Sequence, residues 1–249
     1  NTRSTPDNSG KNRKAKVMDV VYTLGTGSHY HDLELRFSLR SIEKNLTGFD
    51  KVWIVGECPE WTQNVNHIPF PDKLGVPSDF NIMSKVTRAC EEKEISDSFV
   101  FINDDHFIMK PFNAPEFPYF CEESLEKFLT RRASDTYAIR AKNTFKYLKA
   151  NNLPTKHFDI HYPIIYNKSL FLKHVTTAVN WDKDCYIIKS MYANSLNIQG
   201  VEAVDYKIGR TLPPQGAQVF STTPRFRHNV QRYLLENFRK QSRFEKTGL

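Results

Sequence analysis

The sequence predicts an α/β fold: a mostly parallel sheet flanked by helices, followed by a more helical C-terminal half. Three observations carry this. Short, β-branched apolar runs at 17–23, 52–56 and 99–102 have the length and composition of fully buried strands. Between them, residues 32–45 and 80–92 repeat apolar side chains at helical spacing. The resulting alternation of strand and helix requires crossover connections, hence parallel pairing.

In order along the chain, residues 1–16 are polar and rich in Ser, Asn and Lys, and with Lys11, Arg13, Lys14 and Lys16 read as a disordered basic tail. The run 17–23 is a buried strand that ends at Gly25-Thr26-Gly27-Ser28. Leu35, Leu39 and Ile42 mark the first helix, and 65–68 is a short further strand. The helix at 80–92 takes Asp79 as its cap. The strand 99–102 is stopped by Asn103-Asp104-Asp105. Beyond a loop punctuated by Pro111, Pro115 and Pro118, helices are expected at 122–132, 141–151, 168–175, 184–194 and 229–240, and a strand-like stretch at 200–204. Ligands of open parallel sheets bind beyond the carboxyl ends of the strands. The segments 25–29, 56–58 and 103–106 all fall there and are expected to converge.

The 249 residues suffice for one large domain, and the 13% aromatic content (18 Phe, 11 Tyr) can fill a core. A net charge of +7 points to an anionic partner such as a nucleotide, a phosphorylated acceptor, nucleic acid or a membrane surface, with mere solubility as the alternative. Cys58, Cys90, Cys121 and Cys185 are too scattered for a zinc knuckle or a disulfide framework, and read as free thiols. No apolar run is long enough to span a membrane and no secretory signal is visible, so the expectation is a cytoplasmic protein. The glycosylation patterns at Asn45 and Asn167 are of a kind that arises by chance.

The chemistry centres on Asn103-Asp104-Asp105. Two adjacent carboxylates at the mouth of a hydrophobic strand repel each other unless hydrated or met by a cation. Mg²⁺ or Mn²⁺ would satisfy them, since both take oxygen ligands and complete their shell with phosphates and water. The competing reading is a polar turn. Gly25, Gly27 and Ser28 offer backbone N–H groups to a phosphate. Arg36 and Arg40, one helical turn apart, and Lys85 and Arg88 are candidate cationic contacts, or else ordinary surface charges and ion-pair partners. Asn180-Trp181-Asp182-Lys183-Asp184 sets an aromatic ring beside carboxylates, a pattern suited to holding a sugar. Asp205, beside a strand-like stretch, is either a further site carboxylate or part of a plain edge strand.

The run Val20-Val21-Tyr22-Thr23, the helix Leu35-Arg36-Phe37-Ser38-Leu39-Arg40-Ser41-Ile42-Glu43-Lys44-Asn45, the strand 52–55 and Asn103-Asp104-Asp105 resemble the Stealth family of capsular-polysaccharide and lysosomal-type sugar-1-phosphate transferases. Looser echoes are His161-Tyr162-Pro163 and Ser242-Arg243-Phe244-Glu245. The resemblance implies a GT-A-like core, with residues 17–249 as one transferase domain: a nucleotide-sugar-binding half at 17–110 and an acceptor-binding half at 111–249. It implies His161 as the base that deprotonates the acceptor, and it agrees with the metal candidates Asp104 and Asp105, Asp105 also being a catalytic candidate; the residues beside Trp181 make Asp182 the rival base. By the family pattern, Arg225 and Arg227 help to bind the diphosphate; Tyr22, Thr23, Gly25, Gly27, Ser28, Arg36, Arg40, Lys85, Asn103 and Asp184 complete the candidate substrate and nucleotide contacts. The loop from Leu24 to His29 departs from the family's tryptophan-containing loop. Glycosyl transfer and sugar-1-phosphate transfer therefore both stay open.

The expected activity is a metal-assisted (Mn²⁺ or Mg²⁺) transfer from a nucleotide sugar, a UDP-sugar being favoured, to a glycan hydroxyl. The alternatives are a glycosyltransferase acting on hydroxylated bases of DNA, a non-catalytic sugar- or nucleic-acid-binding module, and a metal-dependent nuclease or hydrolase. No nucleic-acid-reading motif is visible.

Overall fold

A computed structural model describes residues 17–131, 135–181 and 183–247 of the chain. The expected basic tail at 1–16 and the candidate Asp182 lie outside the described residues. The first half runs β1 (Met18–Leu24), α1 (Leu33–Asn45), β2 (Leu46–Thr47), β3 (Phe49–Gly56), β4 (Asn66–Ile68), α2 (Ser78–Glu91), β5 (Ser98–Ile102) and β6 (His106–Ile108). The second runs β7 (Phe112–Asn113), β8 (Phe120–Cys121), α3 (Leu125–Arg131), α4 (Thr136–Ala150), β9 (Ile164–Asn167), α5 (Lys168–Phe171) leading into a π-helical turn (Leu172–Thr176), and α6 (Ile188–Ser195). It closes with β10 (Val201–Glu202), β11 (Lys207–Ile208), β12 (Val219–Thr222) and α7 (His228–Asn237).

The central sheet has the order β4-β3-β1-β5-β9, parallel except for β9 at the edge. All seven residues of β1 are buried, because the strand is covered on both faces. Successive side chains alternate between two cores. Val20, Tyr22, Leu24, Val52, Ile54, Val100 and Ile102 pack with Leu35, Leu39 and Ile42 of α1. Val21, Trp53, Val55, Phe99 and Phe101 pack with Met83, Val86 and Ala89 of α2. The two crossover helices thus lie on opposite faces, and the expected α/β class with a mostly parallel sheet is present. Among the described residues, no helix is long and apolar enough to cross a membrane.

The second half departs from the sequence reading in detail. The helix expected at 141–151 begins at Thr136, with the Asp135 side chain accepting from the Ala138 N–H at 2.7 Å as a cap. The helix expected from Asp184 starts at Ile188, and the strand expected over 200–204 is two residues long. Asp79 does not cap α2: it sits in the first turn and pairs with Arg140. Strands of two to four residues carry too little pattern to be read locally, and β6, β9, β11 and β12 exist only because a partner strand supplies their hydrogen bonds. All four cysteines are free. Asn45 is only 8% exposed and donates to the Ile108 carbonyl at 2.6 Å, so it is no acceptor for a glycan.

The C-terminal segment is pinned to α1 by Glu245, which is 1% exposed. Arg40 grips it with Nε and Nη2, both at 2.7 Å, Arg36 adds a bond at 3.0 Å, and Ser242 donates both its N–H and its hydroxyl at 2.9 Å. Burial alone would raise the carboxyl's pKa, but the Arg40 and Ser242 bonds outweigh it and hold it below its ordinary value of 4.5. Removing one partner of a buried charge cluster is costly, so Glu245→Gln should lower stability by about 3 kcal/mol in chemical denaturation at neutral pH. The wild-type contribution should be complete above pH 4.5 and fade as pH falls through the depressed value. Equal loss of stability at acidic and neutral pH would contradict this.

Candidate active site

The chain passes from β1 through α1 to β3 on one side of the sheet, then through α2 to β5 on the other side of β1. The loops leaving β1 and β5 therefore diverge, and a crevice opens between them at the carboxyl edge. This cleft, about 630 Å³, is walled by Thr23, Gly25, Gly27 and Ser28 after β1 and by Asn103, Asp104 and Asp105 after β5. Glu34, Asp72, Lys85 and Thr222 complete it. Gly56 sits behind it at φ +121°, where a Cβ would fall 1.9 Å from the Leu24 carbonyl.

The Asp pair is anchored through the short strand β6. The Asn103 carbonyl accepts from the His106 N–H at 3.2 Å, closing a turn, and β6 then pairs antiparallel with β12. On the other side α1 presents Ser38, Ser41 and Asn45, spaced for one helix face. The Ser38 hydroxyl donates to the His106 carbonyl at 2.7 Å, Ser41 accepts from the Ile108 N–H at 3.1 Å, and Asn45 donates to the Ile108 carbonyl. The serines of the helix motif are thus the bracket that fixes β6, and with it the carboxylates.

Burial raises the pKa of the Asp104 carboxyl to about 8, and the charges of Asp105, Glu34 and Asp32 push in the same direction. Asp105 is raised by burial too, against the opposing pull of Lys207, His161 and Lys189. Glu34, 5% exposed on α1, is raised chiefly by burial. Such a cluster is uncomfortable without a cation. Among the described residues no group of three or more His, Cys, Asp or Glu side chains forms a ready-made metal cage. An adjacent carboxylate pair does suit Mg²⁺ or Mn²⁺, which keep positions for phosphate and water. The buried Asn103 Oδ1, which has no hydrogen-bond partner, adds another oxygen at the same strand end.

A second cleft of about 660 Å³ adjoins the first and contains His161, Asp205 and Lys207. His161 lies in the turn before β9, and Asp205 and Lys207 flank the start of β11. The His161 Nδ1 lies 2.7 Å from Asp205 Oδ2, and its backbone N–H donates to Asp205 Oδ1 at 3.1 Å. The Lys207 ammonium is 2.9 Å from His161 Nε2 and 3.9 Å from Asp105 Oδ2. An ammonium can only donate, so Nε2 is the acceptor and Nδ1–H points to Asp205. Burial would raise the Asp205 carboxyl, but the hydrogen bonds from the His161 ring and backbone outweigh it and keep it low. Beneath them, Lys189 donates to the Ile160 and Tyr162 carbonyls at 2.8 and 2.7 Å, holding the backbone on either side of His161. Burial lowers this ammonium's pKa to about 8. His106, fully buried, is held well below its ordinary range by burial first and by the neighbouring positive charges second.

Of the residues singled out in the sequence, Thr23, Gly25, Gly27, Ser28, Lys85, Asn103, Asp104 and Asp105 share the first cleft. Ser28 accepts from the Tyr30 and Asp32 N–H groups and donates to Glu34 at 3.0 Å, so it shapes the loop. Lys85 donates to the Leu24 carbonyl and pairs with Asp72, both at 2.6 Å. Tyr22 does not reach the cleft: it is fully buried, with its hydroxyl on Ser38. Arg36 and Arg40 do not face it either, being committed to Glu245, and Arg88 pairs with Glu92. Trp181 is no sugar platform, since it is buried and donates to the Val175 carbonyl; Asp184 is exposed and lines neither cleft. Arg225 and Arg227 are exposed just beyond Pro224 at the mouth of the first cleft. Sequence reading missed Glu34, Asp72, Lys189 and Lys207. The pair Asp205 and Lys207, two apart at a strand start, is the signal that could have found the last of these, because such spacing puts both on one side.

Solved structures of a galactosyltransferase are among those similar to this chain. The galactosyltransferase LgtC in complex with donor and acceptor sugar analogs matches at 12% identity over 82% of this chain and 87% of that chain, with a TM-score of 0.48. An active-site mutant of LgtC matches at 11% identity over the same shares, with a TM-score of 0.45. A likeness this loose carries no chemistry. No protein-family model and no curated protein matches the chain.

The raised Asp104 carboxyl has a consequence for stability. A carboxyl with its folded pKa above its unfolded one destabilises the fold once pH exceeds the unfolded value, increasingly up to the folded value. In metal-free buffer, Asp104→Asn should stabilise the protein by about 1 kcal/mol or more at pH 8, with little gain near pH 4. A destabilised Asp104→Asn at pH 8 would contradict the repulsion described above.

Proposed function

We propose that this chain is a nucleotide-sugar-dependent transferase, which moves a glycosyl or sugar-1-phosphate unit onto an acceptor hydroxyl. The observation that carries the reading is the junction of the two clefts. Two adjacent carboxylates at the switch point of the sheet stand beside a histidine oriented by a carboxylate, with one lysine between them.

Asp104 and Asp105 would hold Mn²⁺ or Mg²⁺, which when bound neutralises charge on the leaving phosphate. The backbone of the Gly25–Ser28 loop and Lys85 face the same cleft and would hold the diphosphate. A diphosphate beside Asp105 also gives Lys207 an anion to bind, and the ammonium then leaves His161 Nε2 free. The acceptor O–H proton passes to Nε2, with Asp205 steadying the imidazolium. In glycosyl transfer the acceptor oxygen bonds to the anomeric carbon, and the carbon–oxygen bond to the diphosphate breaks with its electron pair on the nucleoside diphosphate. In sugar-1-phosphate transfer the oxygen bonds to the sugar-linked phosphorus, and the nucleoside monophosphate leaves. A UDP-sugar donor and a glycan acceptor are the favoured pair, and the GT-A-like arrangement suits both bonds.

Incubation with Mn²⁺ and a panel of UDP-, GDP- and CMP-sugars, read by product mass, tests this. Release of a nucleoside diphosphate from a UDP- or GDP-sugar identifies glycosyl transfer, and release of a monophosphate identifies sugar-1-phosphate transfer. Asp105→Asn should abolish release. His161→Ala should lower kcat by about 10²–10⁴-fold with donor KM little changed. No release and no thermal shift from any donor would overturn the proposal.

A further inference from the structure

The second cleft holds more than the base. Phe128, Tyr137 and His157 form one wall: His157 stacks on Phe128 at 4.4 Å and 26°, and its Nε2 lies 3.1 Å from the Tyr137 hydroxyl. His157 is 4% exposed, with its Nδ1 3.7 Å from Glu122 Oε2, and this contact helps to hold the Glu122 carboxyl below its ordinary value.

The charges around it select the ligand. Glu122, Asp159 and Asp205 bring three carboxylates to the cleft. Each spends part of its capacity internally: Glu122 on the Asp205 N–H at 3.2 Å, Asp159 on the Lys189 and Ser190 N–H groups at 3.2 and 2.7 Å, and Asp205 on His161. The cations on the same rim are already engaged, Arg131 with Glu123 and Lys207 with His161. Carboxylates with spare lone pairs accept hydrogen bonds from hydroxyls and repel a phosphodiester backbone. Aromatic rings take the apolar face of a sugar.

We propose that this cleft is the acceptor site and takes a neutral pyranose at the end of a glycan. Its apolar face lies against the Tyr137 ring, its hydroxyls on Glu122 and Asp159, and one hydroxyl is delivered to His161. The inference rests on the transferase reading for its purpose, and its test does not need turnover. The full chain is titrated by saturation-transfer NMR and calorimetry with a panel of methyl pyranosides, and separately with UDP plus Mn²⁺ and with duplex DNA carrying hydroxymethylated cytosine. The expected result is pyranoside binding that weakens about tenfold or more in Tyr137→Ala and in Glu122→Gln, both folded by circular dichroism and both keeping wild-type UDP affinity. Absence of pyranoside binding, or binding that neither variant weakens, would overturn the inference. So would tighter, salt-sensitive binding of the duplex, which would give the cleft to nucleic acid. If pyranosides bind as expected but UDP does not, the transferase reading fails alone and the sugar site stands.

Discussion

Asp104 and Asp105 occupy consecutive positions at the end of a strand whose last four residues are buried, and this crowding of like charge organises the rest of the molecule. Two carboxylates that close to a low-dielectric core drive each other's protonation unless a positive charge is supplied. The fold adds to the strain by placing Glu34 in the same cleft. Lys207, His161 and the buried Lys189 act against it, but Lys207 stops 3.9 Å short of Asp105. The arrangement is stable because the carboxylates cannot move apart: Ser38, Ser41 and Asn45 of the first helix hold the strand next in the chain. Folding free energy from the sheet thereby holds these like charges together.

The same junction explains the base. His161 has one nitrogen committed to Asp205 and the other covered by Lys207. The nearest carboxylate to that ammonium on the side of the first cleft is Asp105, at 3.9 Å. Under the proposed function, an anion bound beside Asp105 would compete for Lys207 and so couple donor binding to the freeing of His161 Nε2.

Much of the framework is legible in the sequence. The strands β1, β3 and β5 are continuous apolar runs because both faces are covered, and such runs announce themselves. The motif Asn103-Asp104-Asp105 is conspicuous because charge rarely ends an apolar strand without reason. His161 rests on a resemblance, and the structure sets it beside its carboxylate partner. Arg36 and Arg40 show the limit: helical spacing correctly puts them on one face, but nothing local reveals that a glutamate about two hundred residues later claims that face. Trp181 fails similarly, since a ring beside carboxylates reads as a platform until its N–H is found bonded inward. Lys189 is invisible because its role depends on carbonyls from a distant turn.

The most direct measurement is calorimetric titration of UDP into the full chain with Mn²⁺ and again with EDTA, for the wild type and for Asp105→Asn. The account predicts binding with Mn²⁺, loss of that binding in EDTA, and weak binding by Asp105→Asn in either buffer. UDP affinity that is the same with Mn²⁺ and with EDTA, and untouched by Asp105→Asn, would contradict the claim that the crowded carboxylates exist to hold a cation for the donor.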